Sequence, residues 1–119
     1  MKKILVLVLL MLVGLSACGP EEPVTLRLMT HDSFDISAET MARFTEETSI
    51  AVDVFKAGDA GAMVNMAALA SDDPLADVMF GVDNTFLSRA LNNEIFIAYD
   101  SPVLVQISDD LKLDPQNRA

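Results

Sequence analysis

Along the chain the hydrophobic positions change their period several times, and each change marks an element. Val24, Leu26 and Leu28 alternate with Thr25 and Arg27. A repeat of two places every other side chain on one face, so a strand is predicted over Val24 to Met29. Ser37 then stands where a helix N-cap belongs, its hydroxyl able to accept an orphan backbone N–H. Ile36 and Met41 sit at the hydrophobic-staple positions around it. Ala38, Met41, Ala42 and Phe44 form an apolar stripe, with Glu39, Arg43, Glu46 and Glu47 outside it. Ile50 to Phe55 reads as a second strand. Ala62 to Ala70 reads as a second helix, with Met63, Met66, Ala67 and Ala70 on one side. Val78, Met79 and Phe80 form a short, buried-looking strand. Phe86, Leu87, Ala90 and Leu91 suit a third helix, and Ile95, Phe96 and Ile97 a fourth strand or edge segment. Strand and helix alternating at this spacing predict an α/β fold of βαβ units on a parallel sheet. Helices on both faces of such a sheet account for its nearly continuous apolar strands.

The first residues follow a different rule. Met1, Lys2 and Lys3 make a short basic start, and Ile4 to Val13 is an unbroken apolar run of ten residues. A membrane-spanning helix takes roughly 20 such residues. The run fits the apolar core of a secretory signal, which is removed from the mature protein. Leu15, Ser16, Ala17 and Cys18 follow and resemble the lipobox of bacterial lipoproteins. The resemblance implies residues 1–17 as signal peptide, lipidation at Cys18, and 18–23 as a lipidated tether to the membrane. The alternatives are a plain signal peptide with an incidental cysteine, and a transmembrane anchor. Two prolines and two glutamates within 19–23 suit a short spacer.

Composition narrows the function. Eight basic and 18 acidic side chains give 8 − 18 = −10. Removal of 1–17 takes away Lys2 and Lys3, leaving 102 residues at 6 − 18 = −12. A surface this acidic argues against nucleic acid as a partner. Hydrophobic residues at 51% argue against a disordered chain. One cysteine excludes an internal disulfide and a multi-cysteine metal cluster. With no tryptophan and one tyrosine, Tyr99, any pocket has few aromatic walls.

In an open parallel sheet, ligands sit outside the carboxyl ends of the strands. Three loops are predicted to meet there: Thr30 to Phe34, Lys56 to Gly61, and Gly81 to Thr85. They bring Asp32, Asp59, Asp83, His31, Ser33 and Asn84 to one rim. Each has a bland role as well. Asp59, and Thr85 or Asn84, suit helix caps; Gly58 and Gly61 suit a tight turn. Glycines at a helix start also open backbone N–H groups to an anion. No nucleotide-loop pattern is present. One histidine with scattered aspartates is weak support for a metal, and none is assigned. Ser33 lacks a nucleophile elbow, and His31 is too near it in sequence for a triad, so no catalytic residue and no cofactor is assigned. Met29, Met41, Met63, Met66 and Met79 fall on apolar faces and are expected in the core.

Taken together, Thr30-His31-Asp32-Ser33-Phe34, Gly58-Asp59-Ala60-Gly61 with Asn65, and Ala76 through Asn84 resemble the thiamine-binding solute receptors of bacterial ABC importers. The likeness runs from about Val24 to Arg118. It implies a type II periplasmic-binding-protein lobe, one of two that close on a solute like a hinge. It implies thiamine or its phosphates as ligand, an ABC permease as partner, and an extracytoplasmic, lipid-anchored location. Asp32, Ser33, Asp59, Ala60, Gly61, Asp83 and Asn84 would be the ligand contacts. Glycine is commoner in that family where Ala60 stands. Iron-, polyamine- and phosphonate-binding receptors share the fold, so each is an alternative ligand class. Such receptors are longer than this chain, so 24–119 is expected to be the N-terminal part of the first lobe. The alternative is a small stand-alone lipoprotein that binds something else along its sheet edge.

Overall fold

The computed structural model describes residues 24–119. The predicted signal peptide, Cys18 and the tether lie outside the described residues. The described elements run β1 (Val24–Thr30), α1 (Ala38–Thr48), β2 (Ile50–Lys56), α2 (Ala60–Leu69), β3 (Val78–Phe80) and α3 (Asn84–Asn92), followed by two short 3₁₀ turns, Pro102–Gln106 and Asp109–Leu111. The sheet is parallel with strand order β2-β1-β3. This is the predicted α/β arrangement, with β1 at its centre.

Register is fixed along the whole of β1. It pairs with β2 from Val24↔Ile50 to Thr30↔Lys56. Across that ladder Arg27 faces Asp53, and its Nε lies 3.1 Å from an Asp53 carboxylate oxygen. Both side chains are half exposed, so this pair selects the register more than it stabilises the fold. On the other side β3 meets β1 only over Leu28–Thr30. Asp77 anchors its start twice: its N–H donates to the Arg27 carbonyl at 3.0 Å, and its carboxylate accepts the Arg27 N–H at 2.8 Å.

Local chemistry sets the helix ends. Ser37 caps α1, its Oγ accepting the Thr40 N–H at 3.1 Å. At the other end Ser49 turns left-handed (φ 60°) and its N–H returns to the Thr45 carbonyl at 2.8 Å. That closes the helix one residue before β2 begins. α2 starts two residues earlier than its apolar pattern suggests, because Asp59 is the cap and Ala60 already has helical geometry.

The core lies between the central strand and α2. Met29, Ala57 and Met63 are buried together, with Phe55, Met66, Ala67, Ala76, Met79 and Val82 packed around them. Removing a side chain such as Met63 fully from water stabilises by about 1.5–3 kcal/mol. The expected core role holds for Met29 and Met63, while Met41 is only half-buried. α1 packs on β2 yet buries no residue completely, and Ile36 and Phe44 remain partly exposed.

Two expectations are corrected. Ile95, Phe96 and Ile97 form no strand. β3 is also not buried: only Met79 packs inward, while Val78 is 44% and Phe80 54% exposed. Nothing among the described residues pairs with the outer edge of β3, which leaves Val78 and Phe80 exposed. Ile95, Phe96 and Ile97 pair neither with that edge nor with any other described strand.

Candidate functional site

A parallel sheet sends all its strand ends the same way, so the loops after β1, β2 and β3 emerge together. Bonds join the first two. The Asp32 N–H donates to the Gly58 carbonyl at 2.8 Å, and the Asp32 carboxylate accepts the Gly58 N–H at 3.1 Å. The Lys56 ammonium donates to the Asp32 carbonyl at 3.0 Å. Gly58 holds φ at 91°, and a Cβ there would press on Ala62 at 3.2 Å. Glycine is therefore required at this turn.

Packing brings in the third loop. Gly81 holds φ at 114°, and a Cβ there would collide with the His31 imidazole. The Phe34 ring meets Phe80 edge-on, centroids 5.4 Å apart, and His31 lies 6.3 Å from Phe80. A side chain on Gly61 would come within 2.9 Å of the Phe86 ring. The first turn of α2 is thereby held close against α3.

The three rim aspartates share a local duty. Asp32 accepts from Gly58, and Asp59 accepts the Ala62 N–H at 2.7 Å. Asp83 accepts from both Thr85 and Phe86, at 2.9 and 3.1 Å. The cap of α3 is thus Asp83; Asn84 is its first residue and Thr85 a donor to the cap. In every case the accepting atom is Oδ1, and no described donor takes Oδ2. Asp32, Ser33, Asp59, Asp83 and Asn84 are all exposed at the rim. Ala60 and Gly61 carry the first two N–H groups of α2. The cap does not take them, and among the described residues neither finds an acceptor.

That arrangement joins carboxylate oxygens, which suit a cation, to helix-start N–H groups, which suit an anion. Among the described residues Ser33 and His31 make no hydrogen bond to each other. Among the described residues no three histidine, cysteine, aspartate or glutamate side chains gather as metal ligands would, and His31 is not joined to the aspartates in such a group. No described helix is long and apolar enough to cross a membrane.

Sequence reasoning missed three features here. Phe80 is a second aromatic at the rim beside Phe34; its place as the last residue of β3 was the available signal. Thr30 ends the central strand with its side chain fully buried and its hydroxyl without a partner. Beyond the rim, Asp114 is buried and holds the Arg118 guanidinium at 3.1 Å and the Arg118 N–H at 2.8 Å. Hydrogen bonding from Arg118 lowers the Asp114 pKa to about 2.

No protein-family profile matches the chain, and no curated protein does. Among solved structures, the Trichodesmium protein IdiA (FutA), in complex with iron and citrate ligands, superposes with a TM-score of 0.68 at 22% identity. The match covers 79% of this chain and 29% of that one. The chain thus spans under a third of the length of that solved neighbour. The likeness concerns the fold: α/β, with a three-stranded parallel sheet that matches part of a periplasmic-binding-protein lobe.

Proposed function

We propose that this chain is part of one lobe of an extracytoplasmic solute receptor serving an ABC importer. The observation that carries the proposal is the rim itself. Its three loops are tied together by the Asp32–Gly58 bonds and the Gly81–His31 contact, on a fold shared with a protein that holds iron and citrate. A receptor needs groups that capture and release a solute, and the rim supplies carboxylate oxygens and helix-start N–H groups.

The solute that fits the groups best is thiamine or one of its phosphates, as the sequence resemblance implies. The free carboxylate oxygens of Asp32, Asp59 and Asp83 suit the cationic thiazolium. The N–H groups of Ala60 and Gly61 suit a phosphate at the helix start. Ser33 and Asn84 add neutral donors and acceptors beside them. Residues 24–119 then present one side of a two-sided clamp, Cys18 carries the lipid anchor, and a permease receives the solute.

A second reading follows from the solved neighbour: ferric iron delivered with an anion such as citrate, the anion resting on the same helix-start N–H groups. Parallel titration calorimetry with thiamine diphosphate and with ferric citrate separates the two. Thiamine diphosphate binding more tightly supports the first reading. Ferric citrate binding more tightly moves the assignment to iron, and heat from neither at solute well above the millimolar range overturns the receptor reading.

A further inference from the structure

The described residues include six lysine or arginine side chains: Arg27, Arg43, Lys56, Arg89, Lys112 and Arg118. Four of them hold a carboxylate: Arg27 with Asp53, Arg43 with Glu47, Lys112 with Asp109 and Arg118 with Asp114. Arg89 sits in the last turn of α3, at the far end of that helix from the rim. Among the six, Lys56 alone stands at the rim. It is exposed, and it ends β2 in register with Thr30, which ends β1. Its ammonium donates at 3.0 Å to the carbonyl of Asp32. The Asp32 carboxylate takes the Gly58 N–H instead. Among the described residues no carboxylate forms an ion pair with Lys56. An ammonium carries three donors, so its one bond leaves two.

A bond to a neutral carbonyl fixes where a cation sits and leaves its charge for something else. The rest of the rim is acidic, with Asp32, Asp59 and Asp83 all exposed. The start of α2 is a poor anion site by itself, since Asp59 caps it and sets a negative charge at its positive end. An anionic group reaching this rim therefore meets one full positive charge, that of Lys56. Its perch on Asp32 is tied to the turn into α2 by the two Asp32–Gly58 bonds. We infer that Lys56 sets the rim's preference for a phosphorylated solute, its ammonium taking the phosphate of thiamine phosphate or diphosphate as a point charge. Free thiamine ends in a hydroxyl, which gains little from the ammonium, and its thiazolium adds a second positive charge beside it. The inference rests on the thiamine reading of the rim and adds which form of thiamine is taken.

Amide shifts of the labelled chain are followed with thiamine, with thiamine diphosphate and with inorganic pyrophosphate, at matched ionic strength and well above the millimolar range. In the parent the diphosphate should bind about tenfold more tightly than thiamine. Pyrophosphate alone should move the Asp32 and Gly58 amides. Lys56→Gln keeps an N–H donor for the Asp32 carbonyl and removes the charge. It should bring the diphosphate down to the affinity of thiamine, abolish the pyrophosphate shifts, and leave thiamine no weaker. Lys56→Arg keeps the charge and should keep the preference. Thiamine binding lost in Lys56→Gln would make Lys56 a brace for the loop and overturn the inference. A diphosphate preference that survives Lys56→Gln, or equal binding of the two solutes by the parent, would overturn it while the receptor reading stands. Rim amides unmoved by all three solutes would overturn the receptor reading and the inference with it.

Discussion

Replacing Asp59 separates what its hydrogen bond contributes from what its charge contributes. Its Oδ1 accepts the Ala62 N–H at 2.7 Å and has no other described donor. Asp59→Ala removes the cap and leaves that N–H to water, a loss of about 0.5–2 kcal/mol. It also removes the negative charge at the positive end of α2, a further loss of about 0.3–1 kcal/mol. The total is then about 1–3 kcal/mol, and the N-cap is the larger share. Asp59→Asn keeps an acceptor of the same shape and drops only the charge, so it should lose about 0.3–1 kcal/mol. In a domain of this size each kcal/mol moves the melting temperature by about 4–8 °C. Thermal melts of the two variants beside the parent, read by far-ultraviolet circular dichroism, resolve that difference. The assay pairs with solute binding. Asp59→Asn should bind thiamine diphosphate more weakly than the parent while remaining nearly as stable, because the cation contact needs the charge and the cap does not. Equal melting losses in both variants would refute the division into bond and charge. Unchanged affinity in Asp59→Asn would reduce Asp59 to a cap alone.

Other positions are as exposed to test. Gly81→Ala places a Cβ against His31 at φ 114° and should cost about 1–3 kcal/mol in urea unfolding; adding His31→Ala should recover the collision but not the backbone strain. Asp114, held by Arg118 at a pKa of about 2, contributes stability above its unfolded value near 4 that is lost as pH falls toward 2. Acid unfolding followed by Tyr99 emission, a local reporter since the Tyr99 N–H bonds the Asn117 carbonyl, should begin at higher pH in Asp114→Asn, and an unmoved midpoint would count against the buried pair. Expressed in a bacterium, the chain should incorporate labelled fatty acid, and Cys18→Ala should not; label retained by Cys18→Ala would exclude that site.

Much of the architecture was readable because local and global demands agree. The period-two alternation of Val24, Leu26 and Leu28 and the apolar Ile50 to Phe55 describe strands that do pair along their whole length. Ser37 and Asp59 announce their helices, since a cap side chain acts on donors only two or three residues away. The misreadings need distant information. Asp83, Asn84 and Thr85 stand together with similar capping ability, and only the backbone geometry makes Asp83 the cap. Ile95, Phe96 and Ile97 carry strand propensity, but a strand exists only with a partner, and partners are not written locally. Phe80 looked buried because it is apolar, while its exposure follows from β3 being an edge. The Asp114–Arg118 pair spans four residues outside any helix, so no periodicity points to it. The rim was legible as a place, from the parallel-sheet rule. The Asp32–Gly58 bonds that fasten it were not, because they join residues 26 apart.

The central claim is that the rim forms one side of a solute clamp, and amide-resolved NMR of the labelled chain tests it most directly. Thiamine diphosphate should shift the amides of Asp32, Gly58, Ala60, Gly61 and Asn84 together. The shifts should saturate no tighter than the millimolar range, about −4 kcal/mol, because one rim covers too little of a small ligand, whose tight sites commonly bury about 70–90% of its surface. Shifts confined to residues outside the rim, or a rim untouched at saturating solute, would contradict the assignment of the site. Micromolar binding by the monomeric chain would contradict the claim that the rim is only one side of it.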